Sequence, residues 1–309
     1  TGQPRTDRNA ISGHVQYQLT PSITAFVEGN YYLGRSDLNS TPSPLAASSS
    51  RVFIGADNPY NPLGSRFYSP TGAPNSDGTA RLTGSPQQLT IISMLFWDNG
   101  NQQIKTIDSE YRFVAGLRGK IGTTSWNWEV GLLAGGIYAS DESKNGMMDS
   151  WTRAAALRTD ATAWNPFTYT FKVQNGAVVA DKPYVNPKSV WDTMRRSYNR
   201  FGQSKIASFD FRIGGVVADL WAGPIQVSTG VQWFYDFKYD HKDPFSGVNP
   251  PGSIGGDGTP LDPQDNDMIQ FSPKFPWSGS RSIASGYVEA QIPLVAAKNW
   301  IAADSRLDE

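Results

Sequence analysis

Two strands joined by a short turn are encoded by residues 111–135, which read YRFVAGLRGKIGTTSWNWEVGLLAG. Before the turn, every second position from Tyr111 to Ile121 is apolar or glycine, and three of the positions between them are Arg or Lys. After the turn at residues 122–124, Trp126, Trp128 and Val130 resume the alternation with a weaker polar face. Since successive side chains of a strand point to opposite faces, this pattern predicts an antiparallel hairpin with one apolar and one polar face.

The same alternation recurs in both directions along the chain. Tight turns are predicted at residues 20–22 and 222–224, so that two more hairpins and a final single strand complete the pattern. The further predicted strands are residues 10–20, 23–33, 207–213, 225–237 and 281–293.

Between the hairpins lie three very long segments, residues 35–104, 140–203 and 239–279, which are rich in Gly, Pro, Ser, Asn and Asp. Compact soluble domains rarely contain loops longer than about 12 to 15 residues. Outer-membrane barrels, in contrast, have short periplasmic turns and long extracellular loops, and their strands need about 9 to 11 residues to cross the hydrocarbon. The pattern therefore predicts an all-β fold of antiparallel transmembrane β-barrel strands with long extracellular loops and short periplasmic turns.

Composition agrees with this class and excludes others. Charged residues make up 18% of the chain, with 30 Gly and 21 Pro, which favours strands and turns. The formal net charge of -1, without long charged blocks, gives no reason to expect a nucleic-acid partner. No run of roughly 18 apolar residues predicts a membrane helix, and the absence of cysteine excludes disulfides and thiolate sites.

Some local structure is expected inside the long segments. Residues 88–97 and 102–110, separated by Asp98 to Asn101, predict a hairpin that extends beyond the membrane, because Asn-Gly suits a tight turn. Residues 149–158 predict a short helix with Asp149 or Ser150 as its N-cap.

Aromatic residues cluster near both ends of the predicted strands. Trp126 and Trp128 follow a short turn, and Trp233, Tyr235 and Phe237 lie at the far end of an outgoing strand. These positions are typical of the two interfacial girdles of a membrane barrel, with the core of a β-sandwich as the alternative.

The polar strand faces carry charged side chains that would line a wet lumen or contact an internal plug. A solvated sheet face is the alternative. The residues are Glu28, Arg112, Arg118, Lys120, Glu129, Asp210, Arg212, Asp236 and Glu289.

The residues give no support for catalysis or a structural metal. His14 and His241 are the only histidines and have no ligand-spaced partner, and no nucleophile elbow is present. We therefore expect no enzyme, no catalytic or metal-binding residue and no cofactor. One acidic run could hold calcium but lacks the spacing of a calcium loop, so a solvated acidic loop is the default. Its members are Asp257, Asp262, Asp265 and Asp267.

Two Asn-Pro phrases within the long segments are flanked by aromatic residues. They are residues 57–64, DNPYNPLG, and residues 164–167, WNPF. Asn-Pro favours turns, and this is the structural interpretation. In the functional interpretation, Tyr60, Trp164, Phe167 and Tyr169 are exposed and stack on a ligand, although the sequence assigns no ligand-binding residue.

Several of these phrases together resemble the TonB-dependent receptors of Gram-negative outer membranes. Residues 58–64 are similar to an NPYNPFG loop phrase of that family, and residues 111–119 with 126–129 are similar to its YRxVxGLRG hairpin and W-x-W return strand. Residues 223–232 and 287–294 resemble its GPxxxxxGxE and YxExxIPL segments. Their order and spacing cover nearly the whole chain.

The resemblance implies a closed barrel of 22 strands around an N-terminal plug, with import energised by TonB. This chain supplies about seven crossings, shows no plug and no TonB box before residue 10, and ends at Leu307, Asp308 and Glu309 without a terminal aromatic residue. The expectation is one partial barrel domain over residues 1–309, with no plug domain, taken from inside a longer receptor.

The expected function is a segment of an outer-membrane receptor and transporter for uptake of a siderophore, vitamin or oligosaccharide. Its expected partners are outer-membrane lipid, the extracellular solute, and TonB through the plug of the parent. Two alternatives are an ungated porin and a secreted carbohydrate-binding or adhesin-like β-sandwich.

Overall fold

A computed structural model describes residues 3–45 and 51–295 of the chain. Its main feature is one antiparallel sheet of seven long strands, whose order in the sheet follows their order in the chain. The sheet is open over these residues, with the first and last strands as its edges. The strands are β1 Arg5–Thr20, β2 Ile23–Pro42, β3 Asn101–Lys120, β4 Asn127–Met147, β5 Arg195–Leu220, β6 Gly223–Lys242 and β7 Trp277–Gln291.

The three predicted hairpins are confirmed. β1 turns into β2 between Thr20 and Ile23, β5 turns into β6 between Leu220 and Gly223, and β3 and β4 pair from Lys120 and Asn127 outward. All six strand pairings of this sheet are antiparallel. Short turns therefore lie at one end of the sheet and the long loops at the other.

Most of the strands are longer than predicted at the loop end. β2 continues to Pro42, and residues 101–110 belong to β3, where Thr106 pairs with Ser36. These extensions have polar side chains on both faces, so they lack the alternation on which the prediction depended. Backbone hydrogen bonds still pair them, since backbone pairing does not require apolar side chains.

The predicted hairpin of residues 88–97 and 102–110 is wrong. Leu89–Ile91 pairs with Val52–Ile54, and Met94–Leu95 pairs with Pro44–Leu45. The Asn-Gly signal at residues 99–100 marks the end of a single 3-10 turn, Trp97–Asn99, from which the chain enters β3. Gly100 has φ +86, so the signal identified a left-handed residue but not a hairpin.

The register of the sheet separates two faces. Directly opposed residues of antiparallel strands point to the same side. Val27 lies opposite Val15 and Ala115, and Leu132 lies opposite Ala115 and Phe209. We call this side the apolar face, and the side that carries Glu129 and Arg212 the polar face.

The long loops contain short elements of their own. Two helices, α1 Asp149–Leu157 and α2 Lys188–Met194, and the hairpin of Tyr169–Gln174 with Ala177–Pro183 lie in the second loop. A parallel pair, Tyr68–Ser69 with Leu82–Thr83, lies in the first. No helix that the structure describes is long and apolar enough to cross a membrane.

The buried core lies in these loops and not between layers of the sheet. Residues 43–45, 51–100, 148–194 and 243–276, together with Met147, form what we call the loop cap. Its core combines side chains from all three loops with the end of β4. The buried residues are Leu45, Val52, Ile54, Phe96, Met147, Ala155, Ala156, Trp164, Val190, Trp191, Met194 and Ile269.

Candidate functional site

The apolar face is exposed across all seven strands. Its exposed fractions include 71% for Ile11, 55% for Phe113, 58% for Leu132, 51% for Val231 and 77% for Val288. Monomeric soluble proteins rarely expose contiguous apolar patches larger than a few hundred Å². An exposed apolar surface of this extent is therefore unusual for a soluble monomer.

The apolar part of this face is shorter than the strands. It covers 11–19 on β1, 23–33 on β2 and 111–121 on β3, which are runs of about 9 to 11 residues, the length that a tilted strand needs to cross hydrocarbon. Towards the loop cap the same face becomes mixed: one row of cross-strand partners there contains Asp7, Arg35 and Ser140 together with Ile107 and Phe201.

The predicted aromatic positions lie on the apolar face. Trp128 is opposite Gly119 at the turn end, and Trp233 and Tyr235 stack on each other with ring centroids 6.3 Å apart. Phe237 continues their row along β6. Trp126 differs, because it lies in the turn and covers Gly215. The role of these rings at a membrane interface stays a prediction.

The polar face holds the charged residues named from the sequence, mostly in pairs. Arg212 donates to Glu129 at 3.0 Å and Arg281 donates to Asp236 at 2.7 Å. Arg112 lies 3.8 Å from Glu28. These pairs are partly exposed, and pairs of this kind contribute at most about 1 kcal/mol each.

Other charged groups of the polar face are bound to neutral side chains. Arg118 donates to Gln16 at 2.8 Å, and Asp210 accepts hydrogen bonds from Gln232 at 2.6 Å and from Ser208 at 3.0 Å. Lys120 and Glu289 line hollows near the turns.

Besides the hollow at Glu289, three hollows follow the polar face from the turns to the loop cap. The first, about 480 Å³, lies near the turns beside Arg118, Glu129 and Arg212. The second, about 470 Å³, lies in the middle beside Asp210. The third, about 410 Å³, lies below the loop cap beside Trp277.

Both Asn-Pro phrases are turns, as the structural interpretation predicts. The first of them, residues 57–64, contains two Asn-Pro steps, and both asparagines are buried and connect segments of the loop cap. Asn58 is fully buried and donates from Nδ2 to the carbonyls of Ala156 at 2.9 Å and Trp164 at 3.2 Å. Asn61 donates in the same way to Gly55 and Gln87, each at 2.9 Å. Each Oδ1 accepts from the N–H two residues ahead. The phrases thus join distant segments and satisfy their buried carbonyls.

A third and a fourth Asn-Pro step extend this network. The Asn165 N–H donates to Asn186 Oδ1 at 2.9 Å, and Asn186 Nδ2 donates to the Asn165 carbonyl and to Asp98, each at 2.8 Å. The carboxylate of Asp98 also accepts from the Asn186 N–H. The first and second loops are therefore joined at this point.

The expectation that all four flanking aromatic residues are exposed is wrong for Trp164. Trp164 is fully buried, 5.5 Å from Phe96 and 6.4 Å from Trp191 between ring centroids. Tyr60 and Phe167 are half-buried, and the Tyr60 hydroxyl bonds that of Tyr184 at 2.8 Å. Tyr169 alone is largely exposed, at 46%.

The four aspartates of the third loop differ in their exposure and in the hydrogen bonds that they accept. Asp257, Asp262 and Asp265 are exposed, and each accepts a backbone N–H of its own turn. Asp267 is buried, so a solvated carboxylate was the wrong expectation there. It lies at the start of α1, where it accepts the Ser150 N–H at 2.8 Å and the Ser150 hydroxyl at 2.7 Å.

Asp267 thus caps the predicted helix, which is confirmed at Asp149–Leu157, in place of the predicted caps Asp149 or Ser150. The residue before the helix, Met148, offers no side-chain acceptor. A carboxylate from another loop takes this place, where it also meets the positive end of the helix dipole.

We expect Asp267→Ala to destabilise the loop cap by about 1–2 kcal/mol, because α1 loses its capping acceptor. Asp267→Asn keeps an acceptor oxygen and is the matched control, with a smaller expected loss. Hydrogen exchange of the α1 amides measures both losses. Equal losses in the two variants would show that hydrogen-bond acceptance by this side chain is not what stabilises the cap.

The pKa of the Asp267 carboxyl is raised, chiefly by burial, while the bonds from Ser150 act in the opposite direction. A raised pKa means that the folded cap binds the proton more tightly than the unfolded chain does. Its stabilising contribution is present at low pH and is lost as pH rises through the folded pKa. Lowering the pH from 7 should therefore stabilise the wild-type cap relative to Asp267→Asn.

The two histidines lie far apart in the sheet. His14 is on the edge strand β1, 3.9 Å from Glu28, and His241 is at the end of β6 beside Phe201 and Tyr239. Among residues 3–45 and 51–295, no three His, Asp or Glu side chains form a group suited to a metal ion.

No family model and no curated protein matches this chain.

Sequence reasoning missed a repeated loop turn that has a recognisable signal. In Asp77-Gly78-Thr79, Asp160-Ala161-Thr162 and Asp257-Gly258-Thr259, the carboxylate accepts both the N–H and the hydroxyl of the threonine. The hydroxyl bond is the main cause of a lowered pKa at each aspartate. Asp-x-Thr in a loop predicts this turn.

Proposed function

We propose that this chain is part of an outer-membrane β-barrel of the TonB-dependent receptor type, which takes up a scarce solute from outside a Gram-negative cell. The observation that carries the proposal is the exposed apolar face, which is continuous over seven antiparallel strands and about as tall as the hydrocarbon layer. The resemblance of the strand and loop phrases to that family supports the finer assignment.

The polar face is consistent with the wet interior of such a barrel. It carries ionised groups of both signs and a series of hollows between the turns and the loop cap. In a closed barrel the sheet edges β1 and β7 would pair with the other strands of the parent, since a spanning sheet must satisfy every backbone group.

The β-sandwich alternative requires a second sheet that covers the apolar face. In the part of the chain that the structure describes, all other sheets have two strands and belong to the loop cap. The exposed fractions of Leu132 and Val231 agree with the absence of such a cover there.

Single cysteines test the proposal, because this chain contains none of its own. Spin labels at Leu132 and Val27 of the full-length protein in lipid vesicles are expected to collide often with oxygen and rarely with a water-soluble nickel complex. Labels at the sequence neighbours Leu133 and Glu28 are expected to give the reverse result, because they lie on the polar face. The same accessibility on both faces would exclude a membrane-spanning sheet.

A further inference from the structure

Two large apolar side chains are exposed in the hollow below the loop cap. Ile137 is 50% exposed and Trp277 is 48% exposed, and both line the hollow. Side chains on the wet side of a barrel have no packing reason to be apolar. An exposed aromatic residue beside a concave polar surface is typical of ligand recognition.

Two small residues, Ala139 and Gly202, form the floor of this hollow. Ala139, Gly202, Asp240 and Trp277 are successive cross-strand partners on β4 to β7. A Cβ added at Gly202 would meet only the Tyr239 carbonyl oxygen, at 3.6 Å, so the space above the glycine is open. The volume of about 410 Å³ lies within the range of small-molecule sites, about 300 to 1,000 Å³.

The four charged side chains that line the hollow are two cations and two anions, and Lys274 beside Asp240 adds one further cation. Asp240 is largely buried and is bound by Arg200 at 3.3 Å and by Lys274. Lys238 and Asp141 also line the hollow, and neither forms an ion pair with any residue that the structure describes. They offer one strong donor and one strong acceptor without a large net charge.

We propose that this hollow is a binding subsite for a neutral polyhydroxylated solute, a sugar ring of an oligosaccharide. The flat apolar surface of Trp277 would cover the C–H face of the ring. Lys238, Arg200 and Asp141 would exchange hydrogen bonds with hydroxyl groups, which both donate and accept. A strongly anionic solute would instead require an excess of cations around the hollow.

This inference rests on the proposed function, because a barrel with the polar face inside places the hollow on the solute's path from outside. Of the three solute classes that the sequence leaves open, a siderophore, a vitamin or an oligosaccharide, it selects the oligosaccharide. The site is separable from membrane insertion, since the side chains invoked for binding all lie on the polar face.

Two variants and one control test the subsite in the purified full-length receptor. Gly202→Leu fills the floor, and Trp277→Ala removes the platform. Gly13→Leu is the matched control, because a Cβ at Gly13 meets nothing within 4 Å and lies on the apolar face of β1. The probes are maltotriose, cellotriose, xylotriose and N,N′,N″-triacetylchitotriose, with 2,3-dihydroxybenzoate as an anionic comparison, and the binding of each is followed by saturation-transfer NMR.

We expect at least one trisaccharide to bind the wild type and Gly13→Leu equally. Its affinity should fall about tenfold or more in both subsite variants, which corresponds to about 1.4 kcal/mol. The affinity should not change with salt, because the ligand is neutral.

Three results would overturn the subsite: no trisaccharide binds the wild type, Gly202→Leu binds like the wild type, or dihydroxybenzoate binds in preference with salt-dependent affinity. If labels on the two faces show the same accessibility while trisaccharide binding behaves as expected, the barrel proposal is wrong and the subsite is retained. If the spin-label pattern is as expected and the binding fails, only the subsite is wrong.

Discussion

Leu132→Arg is expected to destabilise the protein in a lipid bilayer by about 2–4 kcal/mol, the cost of an arginine at the midplane on the lipid side of a barrel strand. Leu132 is 58% exposed and is flanked by Ala115 and Phe209 on the neighbouring strands. The guanidinium would find no water and no counter-ion on this surface. Denaturant unfolding of the full-length protein in vesicles measures the loss.

The adjacent residue is the control for this prediction. Leu133 points to the polar face, where its partners on the neighbouring strands are Val114 and Ser208 and where Asp210 is near in the register. Leu133→Arg should cost less than about 1 kcal/mol, because an ion on a solvated face keeps its water. Similar losses in the two variants would mean that the two faces do not differ in environment.

The sheet could be predicted because its two faces are chemically different. Alternation located each long strand wherever one face was apolar, as from Ile23 to Leu33. It failed from Arg35 onward, where both faces are polar but the pairing with β3 continues. Alternation reveals a strand only where its two faces differ in polarity. The backbone hydrogen bonds that pair β2 with β3 beyond Arg35 do not depend on side-chain polarity, so they leave no pattern in the sequence.

The loop cap could not be predicted as one folded unit. Its core residues come from three segments separated by whole hairpins, and no period connects Leu45, Phe96 and Trp191. Contacts between distant segments depend on which loops the sheet brings together. The length of the loops was evident from the sequence, whereas their mutual packing was not.

The Asn-Pro phrases show how far a local signal extends. The turn was predictable, since asparagine accepts a hydrogen bond from the backbone two residues ahead. The second role of the same side chain, donation from Nδ2 to the carbonyls of Ala156 and Trp164, joins Asn58 to residues about a hundred positions away. Nothing local distinguishes such an asparagine from one in an exposed turn.

Trp164→Ala is expected to open the loop cap without unfolding the sheet. Trp164 is fully buried against Phe96 and Trp191. Its backbone N–H donates to the Ala155 carbonyl, and its backbone carbonyl accepts from the Asn58 side chain. Removing a buried tryptophan side chain leaves a cavity and costs about 3–5 kcal/mol. The cap core is separate from the sheet faces, so this loss should remain in the cap.

Hydrogen exchange distinguishes a local from a global effect. Cap amides such as those of Thr152 and Val190 should exchange about a hundredfold or more faster in Trp164→Ala, while the amide of Val130 in β4 should keep its protection. Trp97→Ala is the matched control, because Trp97 also belongs to the loop cap but is 63% exposed, and its loss should stay within about 0.5 kcal/mol. Equal exchange in the two variants would mean that the three loops do not fold as one unit. Faster exchange at Val130 as well would mean that the cap and the sheet unfold together.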